Sequence, residues 1–178
     1  MLAELHKHPN VVFAMPNGLR LLDLYEKGSL IKSTPDLEEL GTTFTVHDIY
    51  MRNARFACLG FMHLRRLFEE GLRWDEKVAG MEDWEFMLSI GARYPDQFLF
   101  VPVMLYEYHQ RFGGDGICSN SSYATWANAF EYIYKKHKND PLMQGQQWYP
   151  AKVEKWRKRQ AEFEAGIRPT YARHYFQT

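Results

Sequence analysis

Cysteine is nearly absent from this chain: Cys58 and Cys118 are the only two. Two thiols that far apart give neither a disulfide framework nor a zinc knuckle, and the pattern fits a reducing, cytoplasmic setting. Long apolar runs are also missing. Stretches such as Phe98–Leu105 are too short to cross a bilayer and are interrupted by Pro102. Neither charge is in excess, since 22 basic residues stand against 22 acidic ones. That balance removes any long-range pull toward nucleic acid, so no nucleic-acid partner is expected. His6, Lys7 and His8 fall where a signal peptide would continue its apolar core, so secretion is not expected either. The sequon match at Asn120-Ser121-Ser122 is then coincidental. No internal repeat or low-complexity run is visible, which excludes repeat arrays.

What is present suits one folded domain with an appended helical segment. Of the 178 residues, 46% are hydrophobic and 16% aromatic, enough to fill a core. Met1–Lys7 reads as the tail of a helix, stopped by Pro9. Val11–Met15 reads as a buried strand, and its abrupt appearance leads us to expect sequence upstream of Met1. Asn17-Gly18 predicts a tight turn with a second strand over Leu19–Leu24. Glu26–Gly41 reads as a loop with a helical turn over Asp36–Leu40. Ala54–Met62 is expected to be a strand, followed by a short helix through Leu64, Leu67 and Phe68 that Gly71 ends. Glu82–Arg93 has helical spacing, and Phe98–Tyr108 reads as a strand in a covered sheet. Beyond the loop Gly113–Gly116, helices are expected over Tyr123–Lys136 and Ala151–Glu164. This order predicts an α/β fold.

The residues able to carry chemistry cluster between Leu72 and Ser119. Glu82 and Asp83 open a helix, where carboxylates are favoured by free backbone donors and the helix dipole, typically by about 0.3–1 kcal/mol. The same placement suits a general base that takes a proton from an incoming hydroxyl. Trp84 reads first as core, although an exposed indole beside a carboxylate would fit the apolar face of a sugar. His109 and Arg111 end a strand and project to one side if the strand geometry persists. An imidazole suits a divalent ion of the manganese class and a guanidinium suits phosphate oxygens; the plain alternative for both is a polar side chain facing water.

Taken together, these segments are more specific than any one of them. Trp74-Asp75-Glu76, then Glu82-Asp83-Trp84, then Tyr108-His109-Gln110-Arg111 resemble the acceptor-side, carboxyl-terminal half of family two inverting glycosyltransferases with the GT-A fold. Gly60–Arg66 and Leu2–Leu24 resemble that family more loosely, so the likeness spans residues 1–122. Residues 123–178 are then a helical carboxyl-terminal extension. The resemblance implies a partial GT-A-like mixed sheet flanked by helices. It implies Asp83 as the base that deprotonates the acceptor hydroxyl and Glu82 as its support or an acceptor contact. It further implies Trp84 as a wall of the acceptor pocket, His109 as a ligand to Mn or Mg, and Arg111 as a contact to the leaving diphosphate. Glu107 stands where the family commonly has Arg.

Members of that family also carry an Asp-x-Asp motif in a nucleotide-binding half, and the sequence contains no Asp-x-Asp. The resemblance therefore implies a nucleotide-sugar donor bound by strands supplied elsewhere, a carbohydrate or other hydroxyl acceptor, and an isolated chain with little or no activity. An open sheet edge would favour a homodimer or a partner chain. Gln144–Trp148 partly matches the Gln-x-x-Arg-Trp motif of processive members, but Gln147 replaces the Arg and the match reads as chance. Lys152, Lys155, Arg157, Lys158 and Arg159 form a basic cluster on an expected helix. It reads as a solvated face, with peripheral contact to anionic headgroups as the functional alternative. A reading from another class is a non-catalytic α/β carbohydrate-binding or scaffold module.

Overall fold

The structure, a computed structural model, describes residues 1–36, 45–51, 60–112, 122–144 and 148–167. In chain order the elements are α1 (Leu2–Lys7), β1 (Phe13–Glu26), β2 (Ser29–Asp36), α2 (Val46–Met51), β3 (Met62–His63), α3 (Arg66–Glu69), α4 (Glu82–Arg93), β4 (Phe98–Phe112), α5 (Tyr123–His137) and α6 (Trp148–Glu164). The fold is α/β. One mixed sheet is organised around β1, which pairs antiparallel with β2 and β3 and parallel with β4.

β1 is one strand of 14 residues rather than two strands about a turn. Asn17-Gly18, the expected turn, lies inside it. Glycine is needed there because a Cβ would sit 2.2 Å from the Tyr106 ring, so the residue permits close packing rather than chain reversal. The reversal comes later, at Lys27 and Gly28, where φ is 51° and 81°. Two successive positive φ values match the twist of the flanking strands and make the tight hairpin β1–β2. Ser29–Asp36 is accordingly a strand and not a loop. Among the described residues β2 pairs only with β1, and Pro35 is tolerated there as on an edge strand.

The β1–β4 register runs from Phe13↔Phe98 to Leu24↔Phe112 and is interrupted at Pro16–Gly18. Pro16 faces Val101, Asn17 faces Met104 and Gly18 faces Tyr106, so Pro102, Val103 and Leu105 have no β1 residue opposite. Pro102 lacks an N–H to give the ladder, and the strand bulges around it. Val103, Met104 and Leu105 are exposed there.

The helices expected at Glu82–Arg93, Tyr123–Lys136 and Ala151–Glu164 form, the last from Trp148 onward, and α3 ends at Gly71 with φ 92°. α2 was not foreseen. Of the expected strand over Ala54–Met62, only Met62 joins a strand, β3, while Gly60 and Phe61 are described and are not strand; residues 54–59, both cysteines and the Gly113–Gly116 loop lie outside the described residues. A single apolar core links Phe13 and Met15 of β1, Trp84 to Ile90 of α4, Phe130 and Ile133 of α5, and Trp156 of α6. Packing is thus continuous across residue 122, where the family likeness stops. No helix among the described residues is long and apolar enough to cross a membrane.

Candidate functional site

The start of α4 separates its residues by periodicity. Trp84, Glu85, Met87 and Leu88 turn inward and are buried, and Phe86 is buried on another side beneath Trp74, while Glu82 is exposed and Asp83 half-buried. Met81 is the residue before the helix and makes no side-chain cap. Asp83 supplies part of what a cap would give, because its Oδ1 accepts from the Trp84 amide at 2.7 Å. Two carboxylates therefore stand at the positive end of a helix with access to solvent.

Trp84 is placed differently from the expected acceptor wall. It is 1% exposed, its indole N–H donates to the Ile49 carbonyl at 2.8 Å, and its ring stacks on Tyr149 with Phe130 edge-on. A ring enclosed in this way has no face to offer a sugar. The core reading of Trp84 holds, and the pocket role implied by the resemblance does not suit this arrangement.

The turn before α4 is strongly anchored. Asp75 accepts from Tyr132 Oη at 2.9 Å, Lys136 Nζ at 2.7 Å and the Lys77 amide at 3.1 Å. The Lys136 ammonium, with these other donors, holds the Asp75 carboxyl down at about 2. Arg73, on the other side of Trp74, gives its guanidinium to the carbonyls of Phe68 and Leu72. Lys136 also reaches Glu85 Oε1 at 2.7 Å and so ties the turn, α4 and α5 together. The same oxygen accepts from Ser89 Oγ at 2.7 Å and lies 3.0 Å from His137 Nε2. Burial pushes the Glu85 carboxyl upward, but these donors outweigh it and keep the group below its ordinary value.

Near the end of β4, His109 meets a different carboxylate. Its Nδ1 is 2.7 Å from Asp23 Oδ2 on β1, and Ser33 Oγ of β2 donates to Asp23 Oδ1 at 2.5 Å. Asp23 is buried. Its desolvation is overcome by Ser33 and His109, leaving the carboxyl below its usual range, while the bond to Asp23 raises His109. Arg111 faces Asp23 in the β1–β4 register, and its guanidinium carbon sits 5.8 Å from the Tyr25 ring centre. Ser33 donates to the carboxylate rather than to the imidazole, so the three groups are not arranged to activate a serine nucleophile.

His109 and Arg111 are thus brought together with Asp23, as strand alternation predicts. The ionic partners of His109 are Asp23 and Glu107, and Glu82 and Asp83 are not among them. Donation from Nδ1 to a buried acid would leave Nε2 as a metal-facing nitrogen, the usual support for a ligating histidine. Glu107 lies 3.5 Å from that nitrogen. Two donors do not complete a site, and no group of three His, Cys, Asp or Glu that could hold a metal ion occurs among the described residues. The ion implied by the resemblance would need ligands from elsewhere.

Sequence reasoning did not single out Asp23, Ser33, Lys136 or His137. Asp23 carried a signal: an acid inside the apolar run Leu21–Leu24 must find partners if the strand is buried. Lys136 and His137 gave none, because basic residues in a last helical turn are ordinary dipole complements. Comparison with protein-family models, with curated proteins and with solved structures finds no match for this chain.

Proposed function

We propose that this chain is the acceptor-side portion of a GT-A-like, inverting glycosyltransferase. In this reading Asp83 removes the proton from an acceptor hydroxyl as that oxygen attacks the anomeric carbon of a nucleotide sugar and the diphosphate leaves. The observation that carries the reading is the start of α4, where Asp83 and Glu82 are reachable from solvent while Trp84 and Glu85 lock the same turn into the core. A base held by a rigid helix needs little reorganisation to meet its substrate. Glu82 steadies or contacts the acceptor. Arg111, paired with Asp23 beside His109, is the contact for the leaving diphosphate, and the transfer requires it to face Asp83 across the anomeric carbon. The donor, the divalent ion and the Asp-x-Asp ligands belong to a partner half, and a cytoplasmic location is part of the reading.

Two observations favour a second reading, a non-catalytic carbohydrate-binding or scaffold module. Asp83 already serves the helix start through the Trp84 amide, and His109 is engaged by Asp23. Saturation-transfer NMR separates donor from acceptor recognition. The chain is titrated with methyl pyranosides, and separately with UDP- and GDP-sugars plus Mn2+. The proposal expects saccharide signals and only weak nucleotide-sugar signals; tight nucleotide-sugar binding by the chain alone contradicts it. Joining the chain to a donor-binding half then distinguishes enzyme from module, since only the enzyme gains transfer activity that Asp83→Asn removes.

A further inference from the structure

We infer that Trp74 is the platform on which a pyranoside acceptor stacks beside Glu82 and Asp83; the inference rests on the acceptor-side reading above. Trp74 is 37% exposed, against 1% for Trp84. Its ring lies on Phe86 with centroids 4.4 Å apart and planes at 19°, and Phe61 approaches at 6.2 Å. Phe86 therefore covers one face of the indole, which leaves the opposite face as the one a ligand would use.

Helical geometry supplies the neighbourhood. Phe86 follows Glu82 by four residues and Asp83 by three, so all three lie along one side of α4. A ring stacked on Phe86 consequently stands next to the first turn that carries the two carboxylates. Glu82 is exposed, and no partner for it occurs among the described residues. An aromatic face bears the negative side of the ring quadrupole and attracts the polarised C–H bonds on the apolar face of a pyranose. Adjacent carboxylates accept from the hydroxyls at the sugar's edge.

The platform is held rigid before any ligand arrives. Arg73 and Asp75 flank Trp74 and are both tied down, Arg73 to the Phe68 and Leu72 carbonyls and Asp75 to Tyr132 and Lys136. A turn fixed on both sides loses little freedom when it binds. A tryptophan that only capped the core would gain nothing from an outward face beside two acids.

The test is saturation-transfer NMR and affinity titration of the full chain with methyl β-glucopyranoside, methyl β-galactopyranoside and methyl α-mannopyranoside. Trp74→Leu keeps an apolar cover on Phe86 but removes the π face, and Trp74→Phe keeps a smaller one; thermal unfolding of each variant reports folding. The expected result is a loss of about tenfold in saccharide affinity for Trp74→Leu and a smaller loss for Trp74→Phe, both variants remaining folded. Unchanged affinity in a folded Trp74→Leu overturns the platform while leaving the acceptor-side reading in place. Absence of saccharide signal in the unaltered chain overturns both. If Trp74→Leu does not fold, the Phe variant decides, and affinity equal to that of the unaltered chain overturns the platform.

Discussion

Asp23 and His109 are joined at 2.7 Å across the parallel pair β1–β4, with the acid 2% exposed and the imidazole reaching solvent. Their pKa values move apart: His109 rises and Asp23 falls. A raised histidine contributes stability that is complete below its unfolded value and is lost as pH rises through its folded value. The lowered acid contributes above its unfolded value and loses that contribution as pH falls through its folded one. The pair is therefore most stabilising between about pH 4 and pH 6.5. His109 is partly exposed, so its share is modest, about 0.5 kcal/mol. His109→Ala should flatten the fall in Tm between mildly acidic and mildly alkaline buffer, as read by calorimetry. Asp23→Asn, which weakens the bonds from both Ser33 and His109, should cost about 1–2 kcal/mol.

Lys136 joins Asp75 to Glu85, each at 2.7 Å. Lys136→Met should destabilise the chain by about 2 kcal/mol, because it leaves a buried carboxylate with weaker compensation; the ammonium's partial exposure keeps the cost below that of a fully buried pair. Denaturant unfolding measures it. A change within about 0.5 kcal/mol would show that the network contributes little.

Trp84→Leu and Trp74→Leu should behave oppositely. The first removes a ring stacked on Tyr149 and a hydrogen bond to Ile49, and about 3 kcal/mol should be lost with it. The second should leave stability nearly intact. Parallel unfolding curves check the contrast, and a larger loss at Trp74 would reverse the roles assigned to the two indoles.

Val103, Met104 and Leu105 are exposed where β4 bulges, and no strand flanks β4 opposite β1 among the described residues. Self-association through this edge is the expectation. Light scattering across a concentration series should show a dimer that Met104→Lys weakens; a strict monomer at high concentration would show that the edge is not sticky.

The helix at Glu82–Arg93 was legible from its apolar spacing, and its bounds match the structure; the strand from Phe98 alternates imperfectly, runs on to Phe112, and exposes Val103, Met104 and Leu105 where a covered sheet was expected. The hairpin was misplaced because Asn17-Gly18 is a turn signal by local chemistry, whereas Tyr106, far along the chain on β4, decides what Gly18 does. The actual turn uses Lys27 with positive φ, a conformation lysine rarely takes and no local pattern announces. The candidate site shows the same division. Glu82 and Asp83 were found from their place at a helix start. Which of the two nearby tryptophans faces solvent depends on Tyr149 and Phe130, and α5 and α6 are remote in sequence from both indoles.

The decisive measurement for the acceptor-side reading is an amide and indole chemical-shift map of the chain titrated with a methyl pyranoside. The expected footprint is confined to the first turn of α4, at Glu82 and Asp83, and to the Trp74 indole N–H. Shifts centred on the basic face of α6, or shifts that leave the carboxylate-bearing turn untouched, would contradict it.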